Sequence, residues 1–195
     1  MTDGLQKLFG STARIKLLRL FLFNPRQSFT LIDAAQRASV TDKEAKHELA
    51  MFLDIGLIVR SRRAAKEVQY NLNGNFSHVA ALQDLLLNAP ARANDIQGRL
   101  RPAGLMKFIV LSGVFTGEWN GRLDILIVGD KVKASLLRKQ IHQLESEIGK
   151  ELRYALLTSE DFLYRVNMND KLVRDVLDYP HKVVLNKFNS SLKFK

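Results

Sequence analysis

Two groups of polar and basic residues in the first third of the chain have types and spacing suited to binding a polyanion. The first group lies on one predicted helix: Thr41, Lys43, Lys46 and His47. The second group surrounds a run of small residues just after that helix: Arg60, Arg62, Arg63 and Lys66. Guanidinium and ammonium groups attract phosphate oxygens, and this attraction contains no sequence information of its own. The two groups therefore predict a surface that binds a phosphate backbone.

The elements that position these groups are two short helices and a two-stranded hairpin, predicted within residues 28–72. Thr30 is expected to cap the first helix. Thr41 begins the second helix, because Glu44 three residues later completes a capping box. The inward face of the second helix is apolar at three- and four-residue spacing: Ala45, Leu49, Phe52 and Leu53. This is the outline of a winged helix-turn-helix, whose second helix offers its other face to the major groove.

The outward face of the second helix also has acidic residues. Asp42, Glu44 and Glu48 offset Lys43 and Lys46 in our sequence-based assignment of faces, and acids there would repel phosphates. The sequence therefore leaves two interpretations open. DNA binding is the one we favour, and a winged-helix module that contacts another protein is the alternative.

Composition limits the protein to a few broad classes. The chain of 195 residues has a net charge of +10, no cysteine and 46% hydrophobic residues, which suits two modest domains and a polyanionic partner. Four histidines lie far apart and predict no metal site and no cofactor: His47, His78, His142 and His181. No apolar run reaches the roughly 20 residues that span a bilayer, and the first residues lack signal-peptide features. We expect a cytoplasmic protein without a membrane partner.

The second half of the chain alternates predicted strands and helices, which suits a small α/β layer domain. Two short apolar runs bounded by glycine and aspartate predict buried strands: Leu105–Leu111 and Leu123–Val128. A long helix is predicted to open at Gly129–Asp130 and to end at Gly149, and a third strand is predicted at Arg153–Leu157. Ser159 is expected to cap the next helix. Two more elements are predicted, a helix and a last strand: Lys171–Leu177 and Lys182–Leu185.

Three short motifs add a family resemblance: Leu8-Phe9-Gly10-Ser11 before a basic helix, Ile55-Gly56-Leu57, and Tyr70-Asn71-Leu72-Asn73. With these motifs the whole chain resembles a prokaryotic family in which a winged helix-turn-helix is joined to a minimal nucleotidyltransferase-like domain. The resemblance implies an α+β protein with an N-terminal winged helix-turn-helix and a small α/β nucleotidyltransferase-like domain. The implied division is 1–75 for the DNA-binding domain, 76–103 for linker helices, 104–188 for the nucleotidyltransferase-like domain and 189–195 for a flexible tail.

Active nucleotidyltransferases of this kind have Gly-Ser after the first strand and Asp-x-Asp on the next, and the carboxylates hold the catalytic metal ions. This chain has Gly113-Val114 and Arg122-Leu123-Asp124 at those places. An arginine in place of one carboxylate puts positive charge where a cation should bind. The resemblance thus implies a vestigial nucleotide site at Gly113, Arg122 and Asp124, with no catalytic residue, metal or cofactor. Arg122 could bind a phosphate, be exposed or pair with Asp124.

The combined prediction is a transcriptional regulator that binds double-stranded DNA as a homodimer, with an inactive second domain used for dimerisation or sensing of an unidentified effector. The apolar residues Leu5, Phe9, Phe21 and Phe23 are candidates for the dimer contact, with core packing as the alternative. Two further alternatives stay open. One is an active nucleotidyltransferase that modifies a protein or nucleic acid, and the other is an antitoxin-like protein-interaction module.

Overall fold

A computed structural model of the protein describes residues 4–62, 67–87, 93–118 and 121–188. These residues form helices and two sheets, which confirms the expected α+β class. The chain divides into two compact units. The first unit consists of Met1–Ala89 with His142–Glu151, and the second of Pro90–Ile141 with Leu152–Lys195. Within the described ranges, every helix is too short or too polar to cross a membrane.

The first unit combines helices with a small three-stranded antiparallel sheet. Its elements in chain order are α1 Gly4–Phe9, α2 Thr12–Phe23, β1 Ser28–Phe29, α3 Leu31–Ala38, α4 Asp42–Asp54, β2 Ile58–Arg62, β3 Val68–Leu72 and α5 Val79–Leu87. The strand order is β1-β3-β2. β1 pairs with β3 through Ser28 opposite Asn71 and Phe29 opposite Tyr70, so this short strand extends the hairpin to a three-stranded sheet.

The core of the first unit is built around α2. Phe21 has no exposed surface and packs edge-to-face on Phe29, with ring centroids 5.5 Å apart. Leu5, Phe9 and Phe23 pack against the same core. Core packing therefore accounts for Phe21, which has no surface to offer a partner, whereas Leu5, Phe9 and Phe23 are half-buried and the dimer contact stays a prediction.

The second unit is a four-stranded sheet with helices. Its elements are α6 Ala93–Leu100, β4 Leu105–Leu111, β5 Ile125–Asp130, α7 Ala134–Ile148, β6 Tyr154–Leu157, α8 Ser159–Asn167, α9 Lys171–Leu177 and β7 Lys182–Asn186. The part of α7 from His142 onward belongs to the first unit. The strand order is β6-β5-β4-β7, with β5 parallel to β6 and the other pairs antiparallel. The apolar strands β4 and β5 supply a core onto which Phe162 of α8 packs.

Two predicted helix starts in the second unit are wrong. β5 continues through Asp130, which lies opposite Leu105 of β4, so α7 begins only at Ala134. Thr158, not Ser159, caps α8, since its Oγ1 accepts from the Asp161 N–H at 3.1 Å. Ser159 instead donates its hydroxyl to Asp130 at 2.8 Å. Together with the Ser159 N–H, this bond lowers the pKa of the Asp130 carboxyl.

The end of α7 agrees with the prediction. Gly149 follows the last helical residue with φ +82°, in the left-handed region that favours glycine. A side chain at this position would also overlap the backbone of Arg19 in α2. The predicted domain limits at 75 and 103 stay predictions, and the predicted tail at 189–195 lies outside the described residues.

Candidate nucleic-acid interface and vestigial nucleotide site

Both ends of α4 are fixed by local hydrogen bonds. Thr41 Oγ1 accepts from the Glu44 N–H at 3.2 Å, and the Thr41 N–H donates to Glu44 Oε2 at 2.8 Å. These bonds confirm the predicted capping box, and the Thr41 hydroxyl and N–H lower the pKa of the Glu44 carboxyl. At the other end the Leu57 N–H donates to Phe52 O at 2.9 Å around Gly56, whose φ is +75°. This is a Schellman turn, and it confirms Gly56 as the end of the helix.

The two faces of α4 differ as the sequence predicted, with one exception. Ala45, Leu49 and Phe52 are buried. The outward residues are all exposed: Asp42, Lys43, Lys46, His47 and Ala50. Within the described part of the chain, none of the three basic side chains has a hydrogen bond or ion pair. This face therefore presents positive groups that the fold itself leaves unpaired.

The exception is Glu48, which we assigned to the outward face from its charge. Glu48 is only 3% exposed, and its carboxylate accepts from Arg14 Nε of α2 at 2.8 Å. Arg14 also donates to the Phe9 carbonyl at 2.9 Å. The signal was present in the sequence, because Glu48 lies at helical spacing between Ala45 and Phe52 and so within the apolar stripe. An ion pair therefore fixes α4 against α2, and one acid is removed from the outward face.

The strand pairing of the hairpin gives Arg60 a defined position. Arg60 lies opposite Tyr70 in the register, two residues from Ile58, which is buried opposite Leu72. Arg60 thus shares a face of the sheet with the core residues but is itself exposed. Arg62 is the last residue of β2, opposite Val68. The other two predicted contacts, Arg63 and Lys66, lie outside the described residues.

A polar ladder on the opposite face of the same sheet was not predicted. Ser61 donates its hydroxyl to Asn71 Oδ1 at 2.7 Å, and Asn71 Nδ2 donates to Ser28 Oγ at 2.5 Å. The ladder crosses all three strands. It links the base of the hairpin to β1 and gives that base a fixed register.

Two of the three residues of the predicted vestigial site come together in the second unit. Asp124 has no exposed surface, and it lies just before β5. Its Oδ1 accepts from the Val114 N–H at 3.0 Å, next to Gly113. Gly113 has φ +54°, and a side chain there would overlap the Asp124 carboxylate. Glycine is therefore required at this position both by the backbone and by the close approach of the carboxylate.

The third residue, Arg122, lies elsewhere. It pairs with Asp175 of α9 at 2.9 Å and is largely exposed. The alternative in which Arg122 pairs with Asp124 is wrong, because Arg153 occupies that position. Arg153 donates to Asp124 Oδ2 from its backbone N–H at 2.8 Å and from Nε at 3.1 Å.

The contacts of Asp124 show whether the residues around it could hold the catalytic metal ions that the family resemblance implies. Both oxygens of Asp124 accept hydrogen bonds, and a guanidinium lies where a cation would have to approach. The second carboxylate of the motif is replaced by Arg122. The residues present therefore do not fit a two-metal clamp, and Asp124 acts here as a buried acceptor that joins the turn after β4 to the start of β6.

A third cluster was not predicted. Ser39 has φ +48°, and its Oγ lies 3.4 Å from His142 Nε2, while His142 Nδ1 lies 3.7 Å from Glu145. The order resembles a hydrolase triad, but both distances exceed those of an activated serine. The Ser39 N–H donates to the Gln36 carbonyl at 3.1 Å, so it already completes the end of α3. The cluster is best explained as packing around the turn between α3 and α4.

Comparison of the chain with protein-family models, with curated proteins and with solved structures gave no match.

Proposed function

We propose that this protein is a DNA-binding transcriptional regulator whose first unit is a winged helix-turn-helix. In this proposal α4 enters the major groove and the β2–β3 hairpin rests on the phosphate backbone. The observation that supports it most is the outward face of α4. Lys43, Lys46 and His47 are exposed there and unpaired within the described residues, whereas the buried acid of the same helix is bonded inward.

The charge distribution on α4 answers the main objection from the sequence. Glu48 is neutralised by Arg14 and is withdrawn from the surface. The Glu44 carboxylate turns back to Thr41 at the amino end of the helix, where the helix dipole favours negative charge. Asp42 and Glu44 are then the exposed acids of the predicted outward face, both in the first turn of the helix, against two lysines. This distribution supports a polyanionic partner over a surface that repels phosphates.

The hairpin adds cations beside this helix. α4 leads into β2 through the tight turn at Gly56, so the two elements are joined by only a few residues. Arg60 is exposed on β2, and Arg62 is the last residue of the same strand. With Arg63 and Lys66 from the sequence, the hairpin supplies four cations for backbone phosphates. This arrangement supports a positioning role for the hairpin and a specifying role for α4.

In the same proposal the second unit is nucleotidyltransferase-like in fold and has no catalytic role. It would serve dimerisation or sensing, and the protein would act in the cytoplasm as a homodimer on two half-sites of double-stranded DNA. The self-satisfied contacts of Asp124 support a structural role for the former site.

The proposal is tested by selecting genomic DNA fragments with the purified full-length protein and then measuring affinity against salt concentration. Replacing Arg60, Arg62, Arg63 and Lys66 together by alanine should weaken binding to all sequences. It should also lower the slope of log affinity against log salt by about 0.9 for each phosphate that is no longer neutralised. A matched control removes the same charge from the second unit: Lys133, Arg138, Lys139 and Lys171 to alanine. Equal affinities for the hairpin variant and the unchanged protein would refute the assignment of the hairpin.

A further inference from the structure

A pocket of about 390 Å³ lies in the first unit, and none of its described lining residues belongs to α4. Its wall is formed by the segment that leads into β1, by α3 and by β3. The residues that matter for the argument are Arg26, Phe29, Asp33, Arg37 and Gln69. The volume lies within the range of sites that hold small organic ligands.

Two arginine side chains line the pocket, Arg26 and Arg37. Arg37 is held in place from two directions, because its guanidinium lies 5.5 Å from the centre of the Phe29 ring and bonds Glu151 at 2.8 Å. Arg26 is exposed, and within the described ranges its guanidinium has no ion-pair partner. The bond to Glu151 uses Nη1 of Arg37, so the other N–H donors of that guanidinium, together with the unpaired Arg26, can bind the oxygens of an anion.

The pocket also has two hydrogen-bond acceptors, from Gln69 and Asp33. Gln69 Oε1 is buried, and among the described residues none donates to it. An unpaired buried acceptor is costly, so a donor from a ligand would remove that cost. Asp33 adds a second acceptor. Thr30 donates its hydroxyl and its N–H to Asp33 Oδ2, and these bonds lower the pKa of the Asp33 carboxyl. Both bonds use Oδ2, so Oδ1 can accept from a ligand.

We propose that this pocket binds a small organic phosphate that has free hydroxyl groups. The phosphate would lie between Arg26 and Arg37, and the hydroxyls would donate to Gln69 Oε1 and Asp33. Two acceptors and two guanidinium groups in one pocket favour a ligand that has both a phosphate and hydroxyl groups. A phosphodiester of the DNA backbone has no hydroxyl to donate and would use the guanidinium groups alone. The site is independent of the DNA-binding proposal and adds an effector-sized ligand to the first unit.

The test is isothermal titration calorimetry on the full-length protein without DNA, at constant ionic strength. The probes are glycerol 3-phosphate, which has both kinds of group, ethyl phosphate, which lacks hydroxyls, and glycerol, which lacks the anion. We expect glycerol 3-phosphate to bind more tightly than ethyl phosphate, and glycerol not to bind measurably.

Variants assign the two kinds of group to their residues. Arg26→Ala should weaken glycerol 3-phosphate by about tenfold or more, as expected for the loss of a charge-assisted bond. Gln69→Leu should bring its affinity down to that of ethyl phosphate. The control Arg101→Ala removes an exposed arginine of the second unit and should change nothing. Two results would overturn the proposal. They are the absence of glycerol 3-phosphate binding at millimolar concentration, and equal affinities for glycerol 3-phosphate and ethyl phosphate. Since no DNA is present, neither result bears on DNA binding.

Discussion

The outward face of α4 and the turn around Asp124 use charge in opposite ways. On α4 the basic side chains extend into solvent and have no partner within the described residues. Around Asp124 the carboxylate is fully buried and bonded to Val114 and Arg153. A charge that the fold already satisfies stabilises the fold, whereas a charge left in solvent is available to a partner. The comparison separates a surface that can bind a partner from a buried carboxylate that supports the fold.

The same contrast occurs within a single helix. Glu48 and Lys46 are two residues apart on α4, yet one is bonded to Arg14 in the interior and the other is exposed. The interior pair orients the helix, and the exposed lysine is then presented in a fixed direction. Structural and binding charges are therefore complementary rather than competing.

The largest effect that tests this comparison is expected at Asp124. Asp124→Ala would leave the Arg153 guanidinium and two backbone N–H groups without their acceptor. Each buried N–H group left without an acceptor costs about 1–3 kcal/mol, whereas Arg153 is 41% exposed and adds less than a buried partner would. The free energy of unfolding of the second unit should therefore fall by about 3–5 kcal/mol. Urea titration followed by circular dichroism measures the loss.

The matched control is Arg122→Ala, which removes an exposed pair with Asp175 and should cost less than about 1 kcal/mol. The structural role of Asp124 would be contradicted if Asp124→Ala left stability unchanged but abolished nucleotide incorporation in the presence of magnesium. That outcome would restore a catalytic role to the carboxylate.

A somewhat smaller effect is expected from the pair that fixes α4. Glu48→Ala should lower the free energy of unfolding of the first unit by about 2–4 kcal/mol, less than for a fully buried pair because Arg14 is 28% exposed. The double variant Arg14→Met with Glu48→Leu should recover most of this loss, since well-packed apolar residues often replace an ion pair without cost. Additive losses in the double variant, measured by urea titration, would contradict the assigned pairing.

The smallest effect is expected at the cap of α4. Thr41→Ala removes the acceptor of the Glu44 N–H and should cost about 1 kcal/mol at neutral pH. The hydrogen bonds from Thr41 lower the Glu44 pKa in the folded state. The stability that the Glu44 carboxylate adds through these bonds is therefore present above the usual pKa of 4.5 and is lost as pH falls below it. The stability difference between Thr41→Ala and the unchanged protein should therefore shrink in acid. The comparison variant is Ser11→Ala, which removes a hydroxyl cap whose Oγ accepts from the Arg14 N–H of α2, and its cost should not change with pH. A difference that does not change with pH would contradict the role given to Glu44.

Features set by short-range spacing could be predicted from the sequence. The capping box of Thr41 and Glu44, the end of α4 at Gly56 and the burial of Leu49 and Phe52 depend on residues within a few positions of one another. The alternation along the hairpin likewise predicted the correct strand pairing. Such patterns determine local structure directly.

Features that depend on distant partners could not be predicted. Arg153 reaches Asp124 only because β5 and β6 pair in parallel, across 29 residues of sequence. No local pattern specifies which arginine will occupy that position, and Arg122 is the nearer candidate along the chain. Glu48 is different, because its place in the apolar stripe was visible and its charge led to the wrong face. A charged residue within an apolar stripe should be treated as a candidate for a buried pair.

The most direct test of the account compares the two regions on one DNA. Fluorescence anisotropy would follow the binding of a labelled duplex, taken from the selected genomic fragments, to two variants that lose equal charge. Lys43→Gln with Lys46→Gln alters the outward face of α4, and Arg122→Gln with Lys182→Gln alters the second unit. The account predicts about tenfold or greater weakening for the α4 variant, as for the loss of groove contacts, and unchanged affinity for the other. Equal weakening by both variants, or weakening by the second alone, would contradict it.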